Sequence, residues 1–478
     1  MTELQEQPMV MVCVDLDGTL IATDLLWESV LLLARKRPAD LVRLPLWLMQ
    51  GKARLKRELA ARVRPDPTTL PYRENVLEFL RQCRQDGQSL LLATASNERL
   101  AHGVAEHLGL FDDVIASNEQ ANLKGHRKLE AIQSRCGEVA FDYVGDAKAD
   151  LPLWRAARRA VLVHPEARLL EEAKRAFPSC IVLGEPINRL RAYVRLMRPH
   201  QWAKNALIAV PLLMSHQVMD LSKVLAVLLA MLAFNMAASA AYVFNDLFDM
   251  QSDRRHPVKR RRPLAAGKVS IPSASVLMLL LLGICATITC WLPLLFVALL
   301  ICYIAVTLTY SLYFKRKLMV DVICLAGLYS LRILAGGAAA GVIVSPWLLA
   351  FSMFLFLSLA FVKRYTELAA GRESATVIPG RGYWAGDIEM VRSIGPASGY
   401  LCVLVLCLYI SSQDVLKLYH HHDLLWLECP ILLYWISRIW FLAHRQQMPD
   451  DPVLFAVKDK ISLAAGAIAL LILLLAWL

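Results

Sequence analysis

The sequence predicts a multidomain molecule: an α/β domain built on a parallel sheet with a helical cap, followed by an all-α polytopic membrane domain of about nine transmembrane helices. Three observations predict it. The 478 residues are 57% hydrophobic and 19% charged, with a mean hydropathy of +0.44, more apolar than soluble chains of ordinary composition. The apolarity is uneven, because almost every long apolar run lies after about residue 205. Before residue 185, short apolar runs alternate with helical stretches, the signature of strands and helices in a doubly wound sheet.

The first run, Met9–Val14, is wholly apolar and ends at Asp15, as a strand buried on both faces should. Ser89–Ala93, Ala140–Val144, Ala160–Val163 and Cys180–Leu183 repeat the pattern, with helical periodicity over Tyr72–Gln85 and Asn97–Leu108 between them. The insertion at about 21–85 is helical and basic, carries Trp27 and Trp47, and is expected to cap the active-site end of the sheet. Residues 1–185 form this domain, 186–200 an arginine-studded interfacial linker helix, and 201–478 the membrane domain.

Nine spans are expected, at about 203–217, 221–243, 273–291, 294–313, 319–343, 346–362, 393–413, 423–442 and 460–478. Lysine and arginine concentrate in every second loop: Asp253–Lys268, Lys315–Lys317, Lys363–Arg381 and Arg445–Lys460. By the positive-inside rule those loops and the N-terminal domain share the cytoplasmic side, so a multi-pass protein of the cell inner membrane with cytoplasmic active sites is expected. The formal charge of +11 is therefore assigned to topology, anionic lipid and a phosphate-rich substrate rather than to nucleic acid. Eleven cysteines without a CxxC pair give no sign of a disulfide framework or a zinc site, and the N-terminus lacks the pattern of a cleaved signal peptide.

Asp15-Leu16-Asp17-Gly18-Thr19 follows the first strand, where open α/β sheets hold their ligands. Thr94 closes the next strand, Lys124 lies in a loop, and Gly145-Asp146-Ala147-Lys148-Ala149-Asp150 ends another. In this order the motifs resemble the haloacid dehalogenase (HAD) superfamily over about residues 9–165, which implies a Rossmann-like HAD fold and phosphatase chemistry. The resemblance implies that Asp15 attacks phosphorus and Asp17 acts as acid and then base. It further implies that Thr94 and Lys124 bind the phosphoryl group, that Asp15, Asp146 and the Asp17 carbonyl hold Mg2+, and that Asp150 orients a neighbour.

A second acidic motif ends a membrane span: Asn245-Asp246-Leu247-Phe248-Asp249-Met250-Gln251-Ser252-Asp253. Helical spacing sets Asp246, Asp249 and Asp253 on one face, and carboxylates at a membrane helix end are costly unless neutralised, which points to metal and diphosphate. Lys259-Arg260-Arg261-Arg262-Pro263 follows at once. Together these resemble the UbiA prenyltransferase superfamily, whose members have nine membrane helices, over about residues 193–478. The family's second motif is normally rich in aspartate; here Tyr310-Ser311-Leu312-Tyr313-Phe314-Lys315-Arg316 has only Asp321 beside it. That departure, with Arg198–Asn205, Leu331–Gly337 and Val362–Leu368, makes the chain similar to the decaprenyl-phosphate phosphoribosyltransferase (DPPR synthase) branch.

That similarity implies phosphoribosyl pyrophosphate as donor and a polyprenyl phosphate lipid as acceptor. It further implies Mg2+ on Asp246, Asp249 and Asp253, with Asn245 beside them. Lys259, Arg260 and Arg262 would meet the donor phosphates, and Lys204, Lys363 and Arg364 the lipid phosphate. Tyr310, Lys315 and Asp321 would complete the second loop. The two halves together suggest transfer followed by dephosphorylation of the product, in a chain compatible with a homo-oligomer. The alternative is a prenyltransferase acting on a prenyl diphosphate and an aromatic acceptor, with the HAD domain as a docking module.

Overall fold

A computed structural model describes residues 10–118, 123, 125–137, 139–186, 188–370, 382–449 and 451–478. The chain forms two compact units: Met1–Met197 with Val243–Leu277, and Arg198–Tyr242 with Met278–Leu478.

The first unit contains a six-stranded, all-parallel sheet in the order β3-β2-β1-β4-β5-β6. Its strands are β1 (Met11–Val14), β2 (Ser89–Asn97), β3 (Asp113–Ser117), β4 (Phe141–Gly145), β5 (Ala160–Val163) and β6 (Ile181–Leu183). Five follow the apolar runs of the sequence. The register pairs Val14 with Leu92 on one side and with Val144 on the other, so β1 is central and its C-terminal end opens at the point where strand order reverses. Val12, Val14, Leu90, Leu92, Val144 and Val161 face one core layer, and Cys13, Leu91, Tyr143 and Leu162 face the other. The alternation of a doubly covered strand produces this split. The helix Glu98–Leu108 shows why segments stop where they do: Asn97 accepts from the Arg99 N–H, and Gly109 closes the helix at φ +62°.

The insertion after β1 folds as expected into helices, Leu25–Lys36, Leu44–Met49 and Lys52–Arg62. They have a small core of their own, with Leu32, Leu33, Trp47, Leu55, Leu59 and Val63 packed together. Residues 243–277 belong to this same unit. Arg254 donates to the buried Glu28 at 2.6 Å, Arg255 donates to Asp66 at 2.9 Å, and the Gly267 backbone lies so close to Ala22 that a Cβ would meet its carbonyl at 2.0 Å.

Eight helices among the described residues are long and apolar enough to cross a membrane, from Leu221–Phe248 to Lys460–Trp477. The stretch expected as a first span, 203–217, is not one continuous α-helix. A 3-10 helix, Pro199–Ala209, leads into a five-residue α-helix, Val210–Met214. Pro211 cannot donate a backbone hydrogen bond, which explains the restart there. In the second unit, Phe356, Phe361, Tyr365, Ile436 and Trp440 share one core. Glycines let its elements approach: a Cβ on Gly336 would stand 2.0 Å from the Ile208 carbonyl, and one on Gly395 2.1 Å from the Trp440 ring.

Candidate active sites

The carboxylates of the DxDGT motif stand at the C-terminal end of β1, as its position after a central parallel strand requires. Asp15, Asp146 and Asp150 bring one oxygen each within 4.8 Å of one another, and among the described residues no other three His, Cys, Asp or Glu side chains do so. The chain reaches this geometry because Gly18 adopts φ +81° directly against Asp146, where a Cβ would lie 2.4 Å from a carboxylate oxygen. Thr19 donates to Asp146 Oδ1 at 3.2 Å.

Asp17 accepts from the Leu25 N–H at 2.9 Å and from the Ser96 hydroxyl. Burial, with the charge of Asp24 adding to it, pushes its carboxyl up to about 7. Burial and the charge of Asp15 push Asp146 to about 7 and Asp150 to about 6. A carboxyl poised near neutrality can both give and take a proton at working pH. The donors around Asp15 and Asp146 are hard oxygens, so the set fits Mg2+.

Thr94 is fully buried, and its hydroxyl accepts from the Ser96 N–H at 3.0 Å. Lys124 lies outside the described residues. The lysine found against Asp15 is Lys128, in the first turn of the helix His126–Cys136: its Nζ is 3.0 Å from Asp15 Oδ1 and 3.2 Å from the Tyr143 hydroxyl. Burial opposes the charge of Lys128, yet Asp15 and Asp150 hold it above the usual lysine range. Sequence reasoning missed it, along with Ser96 and Arg73, whose Nε donates to the Gly18 carbonyl at 3.0 Å. Lys128 had one signal, a second lysine at the start of a helix. Ser96 and Arg73 had none.

In the membrane motif, the long helix ends at Phe248 and a short one, Met250–Arg255, begins after Asp249. Asp246 and Asp253 are nearly fully buried and share one guanidinium: Arg262 Nη1 is 3.3 Å from Asp246 and 2.6 Å from Asp253. Asp249 and Asn245 are half-buried beside them, while Lys259 and Arg260 are exposed. The three carboxylates do not converge on one point. Arg262 stands between two of them, where an inorganic cation would stand, and the oxygens suit magnesium in kind.

Within the second unit, Lys204 pairs with Asp451 and lies 5.9 Å from the Tyr329 ring centroid. Lys363 feels the charges of both Lys204 and Asp451. Arg364 is committed elsewhere, to Asp321 at 2.6 Å, to Glu367, and to the Tyr310 hydroxyl at 3.3 Å. Tyr383 also donates to Asp321, at 2.7 Å. Asp321, expected to complete the second loop, is fully buried and held by this arginine and tyrosine. Lys315 sits in the 3-10 turn Phe314–Arg316. A buried network absent from the expectations joins Arg332 to Asn205 at 2.8 Å and to Tyr303 at 3.1 Å, with Asn205 donating to Asn235 at 2.8 Å. An apolar cavity of about 640 Å³ is lined by Met214, Trp347, Phe351, Tyr409, Trp435 and Leu473, with Ser462 and Glu428 as polar points.

Comparison with known proteins agrees with both halves. Residues 206–462 match the UbiA prenyltransferase family, and residues 12–155 match the haloacid dehalogenase-like hydrolases. An uncharacterized Sinorhizobium fredii protein, y4nM, is 36% identical across 95% of this chain and 88% of its own length. The nodulation protein NoeC of Azorhizobium caulinodans is 38% identical over 57% of this chain and 88% of its own. The decaprenyl-phosphate phosphoribosyltransferase of Mycolicibacterium smegmatis is 30% identical over 62% of this chain and 92% of its own. The chain thus belongs to the UbiA prenyltransferase family and is a multi-pass membrane enzyme with a haloacid dehalogenase-like domain at its N-terminal side.

Proposed function

We propose that the protein is a two-step, Mg2+-dependent enzyme of the cytoplasmic face of the cell inner membrane. The membrane part transfers 5-phosphoribosyl from phosphoribosyl pyrophosphate to a polyprenyl phosphate, and the HAD domain (residues 1–185) removes the 5-phosphate to leave polyprenyl-phosphoryl-ribose. What carries the reading is that the hydrolase carboxylates and the acidic segment 246–253 belong to one compact unit, in which Arg254 meets Glu28 of the cap. The relative named as a decaprenyl-phosphate phosphoribosyltransferase supports the first step, and the apolar cavity suits an isoprenoid tail.

In the first step an oxygen of the lipid phosphate attacks the anomeric carbon of the donor and pyrophosphate leaves with the bonding electrons. The nucleophile is already anionic at neutral pH, so no base is required; the chain's task is positioning and charge neutralisation. Lys204 and Lys363 hold the acceptor phosphate. Lys259, Arg260 and Arg262 meet the donor phosphates, and Arg262 turns to them from Asp246 and Asp253. In the second step Asp15 attacks phosphorus to form an aspartyl-phosphate, while Asp17 gives its proton to the departing C5 oxygen. Asp17 then takes a proton from the water that cleaves the acyl phosphate, releasing inorganic phosphate. Lys128 and Thr94 hold the phosphoryl oxygens. Magnesium, when bound by Asp15, Asp146 and the Asp17 carbonyl, neutralises charge developing on the phosphoryl group.

The test is mass spectrometry of lipids made from phosphoribosyl pyrophosphate and undecaprenyl phosphate. Wild type should yield the dephosphorylated ribosyl lipid, Asp15→Asn the 5-phosphorylated one, and Asp246→Asn neither. Turnover of a prenyl diphosphate with an aromatic acceptor, and none with phosphoribosyl pyrophosphate, would overturn the assignment.

A further inference from the structure

The cap displays an apolar surface that its own fold does not use. Val42 is 83% exposed, Met49 85%, Leu46 55% and Leu48 51%, all within the paired short helices Pro38–Arg43 and Leu44–Met49. The cap core is complete without them: Trp47 points inward, buried and covered by the Arg62 guanidinium at 4.5 Å. Around the apolar tip stand Arg35, Lys36, Arg37, Arg43, Lys52 and Arg54, all exposed, against the single carboxylate of Asp40 between residues 35 and 54. Bulky apolar side chains ringed by arginine and lysine suit an anionic lipid surface.

The helix that leads into the tip meets the membrane motif inside the same unit. Near the start of the cap helix Leu25–Lys36, Glu28 holds Arg254 at 2.6 Å. One to two turns on, Leu31, Leu32 and Arg35 line a cleft with Leu247, Phe248, Met250 and Gln251. The helix that leads into the tip thus packs against the end of the span Leu221–Phe248.

We propose that residues 38–49 form an interfacial anchor that seats Val42, Leu46, Leu48 and Met49 at the head-group boundary of an anionic membrane and holds the phosphatase site against phosphate borne on lipid. The lipid-borne substrate rests on the proposed function; the anchor itself does not. It also explains the charge of the cap. A soluble-substrate phosphatase gains nothing from an apolar tip, whereas one whose substrate remains in the bilayer must work at the height of the head groups.

The full-length chain in nanodiscs of phosphatidylglycerol and phosphatidylcholine provides the test. Met49 is replaced by photoreactive benzoylphenylalanine, with the exposed Val139, ahead of β4, replaced likewise as a control. Irradiation should give lipid adducts at position 49 and at least tenfold fewer at 139. Adducts to a second copy of the chain, or equal labelling at both positions, would overturn the anchor. A V42D/L46D/M49D variant is then assayed on two substrates. Hydrolysis of the phosphoribosyl lipid should fall at least tenfold, with p-nitrophenyl phosphate turnover within twofold of wild type. An unchanged rate on the lipid, or equal loss on both substrates, counts against the functional half. Wild type that hydrolyses p-nitrophenyl phosphate but not the phosphoribosyl lipid refutes the proposed second step and leaves the lipid adducts to decide the anchor.

Discussion

Magnesium binding by the carboxylates at the end of β1 should depend steeply on pH, because two of them take up protons more readily than an ordinary carboxylate. Burial and the charge of Asp15 raise Asp146 to about 7 and Asp150 to about 6. A cation entering among these oxygens displaces whatever protons remain. At pH 8 both groups are almost fully ionised, whereas at pH 6 about nine in ten Asp146 side chains and half of the Asp150 side chains are protonated. The two factors multiply to a loss of about 20-fold in apparent affinity between pH 8 and pH 6, or about 1.8 kcal/mol. The same shifts set the stability of the metal-free domain. Raised carboxyls contribute stability that is complete below about 3.8 and is lost as pH rises through about 6 to 7, so these groups make metal-free protein less stable at pH 8 than at pH 6. Magnesium should reverse that order. Thermal melts of full-length protein in detergent, titrated with Mg2+ from pH 5.5 to 8, measure both effects. Asp15→Asn removes the charge that adds to burial at both sites and should flatten the dependence while weakening binding. A magnesium affinity constant across that range, or one that rises toward acid, would refute the assignment of Asp146 and Asp150 to a metal-linked cluster.

Two other outcomes are expected. Lys128→Met should lower phosphatase kcat at least 100-fold and leave phosphoribosyl transfer intact, since the 3.0 Å contact is to Asp15, the proposed nucleophile; separate assays of the two products check it. Arg262→Ala removes the cation shared by two buried carboxylates, which should cost about 2 kcal/mol of stability, abolish most transfer, and make the melting temperature more sensitive to Mg2+.

Much of this arrangement is legible in the sequence because strands covered on both faces are rich in apolar residues. β1, β2, β4, β5 and β6 each overlap an apolar run, although buried β4 carries Asp142, which Arg158 and Arg159 neutralise. β3 does not: it begins at Asp113, pairs only with β2 at the sheet edge, and four of its five residues are only half-buried. An edge strand can carry polar residues, so periodicity does not betray it. The phosphatase aspartates are legible because spacing within a motif survives folding. Lys128 is not, since nothing in the sequence distinguishes one lysine of this stretch from another. The Arg332–Asn205 bond spans 127 residues, and the pairing of Glu28 with Arg254 spans 226; no local pattern encodes either. The pairing of Asp321 with Arg364 spans 43 residues and is likewise invisible to local pattern.

The root of the cap has a mechanical consequence. Its two connecting strands are stitched together, Ala22 to Pro71 at 2.9 Å and Arg73 to Leu20 at 3.0 Å, and the first turn of its leading helix is pinned to Asp17 through Leu25 and to Arg254 through Glu28. A flap clamped at its base cannot swing as a whole. Lys56, in the third cap helix, reaches back to the Ala95 carbonyl, so a second tie joins the cap to the strand that carries Thr94 and Ser96.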